Sequence, residues 1–289
     1  MWLALAFLSA FLLGFYDVSK KYSLRNNAVI PILFLNTLFC SLIFLPLAFR
    51  TPFGGWEVQR YILLKACIVL SSWLLGYIGI KNLPITIVGP INATRPVMVL
   101  VGALIIFGER LNLMQWAGVL LAILSFFLLS RSGKKEGIDF KHNRWILCTV
   151  GAAILGAISG LYDKYLMASE SGLGLPRLTV QCWYNFYQCI MMGAMLLLLW
   201  WPKRKESTPF KWRWNILLIS VFLSVADYVY FYSLSLDGAL ISVVSMVRRS
   251  SVLVSFMLGA LLFHEKNLRS KAIDLALVLL SMLLLWFGQ

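Results

Sequence analysis

The sequence predicts an all-α membrane protein: ten transmembrane helices arranged as two inverted five-helix repeats. Three observations carry that expectation. The chain is 60% hydrophobic and only 13% charged, with a mean hydropathy of +0.82, whereas a soluble domain is about half apolar and a quarter charged. Its apolar residues fall in runs of roughly 20, the length a helix needs to cross about 30 Å of hydrocarbon. Finally, one kind of segment occurs twice. VGPINATRPVMVLVGALIIFGERLN, Val88 to Asn112, is apolar with Arg95 near its middle and ends at Glu109-Arg110. SVVSMVRRSSVLVSFMLGALLFHEKNL, Ser242 to Leu268, is apolar with Arg248 and Arg249 near its middle and closes at Glu265-Lys266. Two such segments in one chain indicate a duplication.

In chain order, the first apolar run begins at Met1 with no basic residue ahead of it and no clear small-residue cleavage site, so it reads as a structural helix rather than a signal peptide. Its end, Gly14-Phe15-Tyr16-Asp17, recurs as Gly160-Leu161-Tyr162-Asp163. Hydropathy and punctuation place helices near 1–19, 28–49, 61–82, 85–108, 112–130, 145–167, 177–201, 213–235, 239–263 and 270–288. The longest polar connection, RSGKKEGIDFKHNR, joins them near mid-chain. The expected organisation is therefore a first repeat over 1–130, a basic connection over 131–144 and a second repeat over 145–289.

The two halves can be laid over each other. Ala10/Gly14 and Gly156/Gly160 both have the small-xxx-small spacing that lets membrane helices approach closely. Asn36 and Cys40 match Asn185 and Cys189, Ser72 matches Asp227, and Tyr77 matches Tyr232. An odd number of helices per repeat inverts the second one, the plan of many secondary transporters with substrate bound near the midplane.

Five plus five helices, with a GER-type turn after the fourth and a HEK-type turn after the ninth, resemble the drug/metabolite transporter superfamily and its EamA-type members. The resemblance covers essentially the whole chain. It implies an alternating-access transporter of small metabolites with no ATPase and no prosthetic group. It does not name the substrate, since relatives carry amino acids, nucleotide sugars, sugar phosphates and cationic drugs.

The formal charge of +14 reads as membrane orientation and attraction to anionic headgroups, not as nucleic-acid binding. Seventeen basic residues fall on one side of the predicted helices and six on the other. The positive-inside rule then makes the basic segments 20–25, 131–144, 203–213 and 264–271 cytoplasmic, and puts both termini outside. The resemblance implies termini inside; the charge distribution of the chain itself is followed here. A bacterial inner membrane is the expected location, with the lipid bilayer and a small-molecule substrate as partners, and a monomer or homodimer as the working unit. The five cysteines show no ligand spacing and read as small buried hydrophobes. His142 and His264 are too isolated to bind a metal.

Intramembrane charge is costly and marks sites or ion pairs. Arg95, Arg248, Arg249 and Asp227 fall deep in apolar runs, either as a cationic substrate wall or, for Asp227 with one of the adjacent arginines, as an internal ion pair. Gln181, Tyr184, Asn185 and Gln188 follow i, i+3, i+4, i+7 and form one helical face, lining a cavity or bonding to another helix. Trp183, Tyr184 and Tyr232 are candidates to pack against the substrate, with Asn36 and Tyr77 as further lining residues. Asp17 and Asp163 lie toward opposite membrane faces, where gates belong, although Lys20 and Lys21 follow Asp17 at ordinary pairing distance. Gly-rich phosphate loops, HExxH and GxSxG are missing, which speaks against an enzyme. Three deep arginines against essentially one deep acid suit an anionic or zwitterionic cargo such as an amino acid, organic acid or phosphorylated compound. Exchange or facilitated transport ranks ahead of proton coupling. A proton-coupled exporter of cationic compounds, a channel and a membrane scaffold are the alternatives.

Overall fold

A computed structural model describes residues 2–51, 53–95, 97–98, 112–134, 142–167, 173–235, 247–263 and 268–287. Within them lie ten α-helices: α1 (Trp2–Leu24), α2 (Val29–Ala48), α3 (Gly55–Asn82), α4 (Ile85–Ala93), α5 (Leu113–Lys134), α6 (Arg144–Met167), α7 (Arg177–Met195), α8 (Asn215–Ser235), α9 (Ser251–Phe263) and α10 (Leu268–Phe287). A π-turn at Leu196–Trp200 continues α7, and a short helical turn at 247–249 precedes α9. Four spans, Val29–Ala48, Gly55–Asn82, Arg144–Asp163 and Leu178–Trp200, are long and apolar enough to cross a membrane by length and composition.

Local chemistry sets the ends. Pro84 and Pro176 stand at the entries of α4 and α7, where a missing N–H costs no helical bond. Gly54 and Gly55, with φ of 71° and 80°, make the turn from α2 into α3. Helix α3 therefore starts at Gly55 rather than near 61, which moves Lys65 from one turn inside the membrane edge to about 15 Å along the helix. Tryptophans gather at both ends of the bundle. Trp201 and Trp214 are exposed at one end, with Arg204 4.6 Å from the Trp201 ring centre, and Trp56 and Trp116 are exposed toward the other. Amphipathic rings favour the two membrane–water boundaries.

The packing has the exchange symmetry a duplication requires. Helix α1 packs on α8 and α6 on α3, while α2 pairs with α7, α4 with α9 and α5 with α10. Replacing each helix by the one five places on turns every pairing into another of the set. The core runs through the middle of these pairs, from Ile32 and Leu33 on α2 through Tyr77 and Ile80 on α3 to Ile216 and Ile219 on α8.

The two small-residue motifs are used differently. A Cβ on Gly14 would overlap Val254 of α9, so α1 and α9 touch there. Its sequence counterpart Gly160 is exposed, and in α6 it is Gly156 that meets a neighbour. We expect Gly14→Leu to lower the melting temperature of the purified protein, since overpacking costs about 1–3 kcal/mol, and Gly160→Leu to leave it unchanged. Equal effects of the two would contradict the packing.

Several sequence-based expectations are corrected. Residues 20–24 are the last turn of α1 and 268–271 the first of α10, not loops. Lys20 is buried at 9% exposure and Lys271 is fully buried, donating to Thr86 Oγ1 at 2.9 Å. Lys65, counted on the opposite side, is buried too. These three belong to the interior, so the charge bias between the two faces rests on fewer residues than the sequence suggests. Cys40 and Cys182 are buried and Cys67 is exposed. Glu109 and Glu265 lie outside the described residues.

Candidate functional site

Two ion pairs lie within electrostatic reach of Tyr184 in the polar interior. Lys65 of α3 pairs with Asp163 of α6, and Arg248 pairs with Asp227 of α8. The Lys65 ammonium sits 5.1 Å from the Tyr184 ring centre, and the Arg248 guanidinium 4.2 Å from that of Tyr230, cation–π contacts that strengthen where water is scarce. Tyr184 lies within electrostatic reach of Asp227, Asp163, Cys40 and Arg248. Cys40 of α2 in turn adjoins Ser224, its Sγ 3.6 Å from the hydroxyl oxygen. Asn36 Oδ1 accepts a hydrogen bond from the Ser220 hydroxyl at 3.0 Å. This cluster draws on α2, α3, α6, α7, α8 and the turn before α9, so helices from both sequence halves build it.

A second cluster adjoins it. Asp17 pairs with Lys20 at 2.7 Å on its own helix, and the Lys20 ammonium lies 4.3 Å from the Tyr16 ring centre and 5.3 Å from that of Tyr77. The Tyr77 hydroxyl is buried beside Tyr16 and makes no hydrogen bond of normal geometry. Arg95 donates to Asn92 Oδ1 at 3.1 Å, while its Nε is buried without a partner. Its guanidinium lies against Gly156, where a Cβ would come within 2.7 Å of it. Arg95 is within electrostatic reach of Asp17 and Tyr16. Arg249 is within reach of Arg95, Arg248, Tyr230 and Asp17. Among the described residues neither Arg95 nor Arg249 forms an ion pair, so two cations exceed the acids here.

The helical face on α7 is internal: Gln181, Tyr184, Asn185 and Gln188 are 2%, 9%, 4% and 0% exposed. Asn185 accepts at its backbone carbonyl from Ser41 at 3.0 Å. Trp183 is half-buried and stacks edge-on with Phe53 at 5.1 Å, beside the turn into α3 rather than beside the arginines. Tyr232 is 46% exposed and lies on the stripe of α8 that also exposes Leu218, Val221, Val225 and Tyr228. That spacing puts Tyr232 on the outward side of the helix, a setting unlike that of the buried Tyr77.

Two residues sequence reasoning passed over enter the clusters, Lys65 and Cys40; the Asp17–Lys20 pair is the local one its spacing offered. Lys65 was detectable as a lone lysine in an apolar run, once the Gly54-Gly55 turn is recognised as the start of α3. Cys40 gave no such signal. In the paired carboxylates, the halves differ: Asp163 is tied across helices to α3, whereas Asp17 is held within α1.

Charged clusters built from both halves inside a bundle of membrane-length helices define the class: an integral membrane protein with a polar interior. Residues 1–131 and 143–287 match the model of the EamA-like transporter family. The chain belongs to that family. An uncharacterized transporter from Archaeoglobus fulgidus is 28% identical over 129 residues, a stretch covering 42% of this chain and 45% of that protein. A solved crystal structure shares the fold with a TM-score of 0.64 at 13% identity, the match covering 98% of this chain and 95% of that one; at that identity the likeness concerns the fold alone.

Proposed function

We propose that the protein moves a small anionic or zwitterionic metabolite by alternating access, with the two adjoining clusters as its substrate site. The observation that carries this reading is the pair of arginines, Arg95 and Arg249, that form no ion pair among the described residues of the membrane-spanning bundle. Uncompensated charge in a low-dielectric interior is costly, and an anion entering between them offsets that cost. Guanidinium groups also suit the two-oxygen geometry of carboxylate and phosphate. In this reading residues 1–130 and 145–289 are the two repeats, joined by 131–144, and they rock about the site. Asp17 and Asp163, each held by a lysine at the edge of its cluster and lying toward opposite membrane faces, act as gates. The remaining basic segments lie in the cytoplasm of a bacterial cell, and the protein sits in its inner membrane.

Exchange or facilitated transport fits better than proton coupling, because Asp17, Asp163 and Asp227 are each already matched by a cation. The test is uptake into proteoliposomes with and without a pH gradient. We expect the rate to be independent of the gradient. Strong dependence that disappears in Asp17→Asn would establish proton coupling instead.

A further inference from the structure

The buried group with the least protein support, among the described residues, is the side chain of Gln188. It is fully buried, and neither its Oε1 nor its Nε2 meets a hydrogen-bond partner. Burial takes this amide out of bulk water, and no protein group among the described residues replaces those bonds. A methionine would fill similar space without that cost. A second carboxamide, Asn36 on α2, is also fully buried; Ser220 occupies its oxygen, but its Nδ2 has no partner.

The two amides share a depth. The Ser41 hydroxyl bonded to the Asn185 carbonyl fixes the register of α2 against α7. Asn36 lies five residues from that bond and Gln188 three, both toward the same membrane face because the helices run antiparallel. At 1.5 Å per residue their heights differ by only about 3 Å. Gln188 also follows Tyr184 by one turn on the same face of α7, and Tyr184 is within electrostatic reach of both ion pairs. Asn36 likewise lies one turn from Cys40 on α2, so each half of the chain contributes one amide next to a member of the cluster.

We propose that Gln188 and Asn36 form a neutral subsite that reads an uncharged hydrogen-bonding group, a hydroxyl or carboxamide, on the transported molecule. The proposal rests on the reading of the adjoining clusters as an anion site and adds a specificity determinant to it. Gln188 offers both a donor and an acceptor, and Asn36 a donor, which a hydroxyl or carboxamide can match. An apolar group placed there would leave all three atoms unpaired, and sites built to bond a hydroxyl discriminate strongly against the analogue lacking it.

The experiment uses anionic or zwitterionic pairs that differ by one hydroxyl: malate and succinate, serine and alanine, 2-hydroxyethyl phosphate and ethyl phosphate. Binding to the purified full chain is followed by tryptophan fluorescence and thermal shift, for wild type, Gln188→Leu, Gln188→Met and Arg95→Gln. We expect, in the framework that binds, at least about a tenfold preference for the hydroxylated member. Both Gln188 variants should bring that ratio to about one while keeping affinity for the deoxy member. Arg95→Gln should weaken both members alike. Equal binding of the two members by wild type, or an unchanged ratio in both Gln188 variants, overturns the subsite and leaves the anion reading standing. Failure of every pair to bind wild type overturns the anion reading, and the subsite with it.

Discussion

Replacing Arg95 with glutamine removes saturable transport while the variant still folds and inserts. The guanidinium approaches Gly156 closely, bonds Asn92 and forms no ion pair among the described residues, so its charge contributes little that the fold itself needs. An anion held against it would lose a charge-assisted contact, and truncating one member of such a buried pair costs about 2–5 kcal/mol. Uptake at low substrate concentration should fall by roughly two orders of magnitude or more. Arg249→Gln should behave in the same way, and the double variant should be little worse than either, because groups that grip one ligand are not additive. Radiolabelled uptake in proteoliposomes, paired with size-exclusion and thermal-melt profiles, reads both halves of the expectation. Wild-type transport by Arg95→Gln would make the arginine structural.

Asp227→Asn should do the reverse, damaging the fold as well as the activity. The Arg248–Asp227 pair has side-chain exposures of 18% and 15%, and Arg248 Nε is already without a partner. Removing the carboxylate strands a buried guanidinium, at a cost of about 3–5 kcal/mol. For a chain of this size the melting temperature should drop by on the order of 10 °C. Adding Arg248→Gln to Asp227→Asn should recover most of that loss, since the second change removes the stranded charge. A single Asp227→Asn variant as stable as wild type would mean the two side chains do not depend on each other. The equivalent change at Asp163 should cost less, because that carboxylate is about one-third exposed and screened.

How far the sequence foretold this architecture depends on what each residue's signal rests on. Helix number and order were legible because every span must satisfy its own backbone and present about 20 apolar residues to lipid. The polar face of α7 was legible too, because Gln181, Tyr184, Asn185 and Gln188 repeat at helical spacing and all four are buried. The pairing of Asp227 with Arg248 was one of two readings the sequence left open, and it is the one the geometry adopts. Lys65 was misplaced because hydropathy starts α3 only where the apolar run begins, while the backbone helix starts at the glycine turn, with polar Glu57 and Gln59 in its first turns. Lys20 was read as a loop residue for a similar reason: α1 continues beyond its apolar run to Leu24. Tyr232 and Tyr77 differ in setting because matching them aligns letters, not helix faces, and a rotation of one residue, about 100°, exchanges a buried position for an exposed one. The arginines were legible as charges in apolar runs, but which of them pairs with Asp227 depends on the third dimension.

The most direct measurement is counterflow into proteoliposomes of purified protein, preloaded with each of a panel of amino acids, organic acids, phosphorylated compounds and quaternary ammonium compounds. The account predicts that at least one anionic or zwitterionic compound gives saturable, trans-stimulated flux that Arg95→Gln and Arg249→Gln eliminate. Flux that does not saturate would indicate a channel, and saturable flux confined to the quaternary ammonium compounds would contradict the assignment of the arginines as the substrate site.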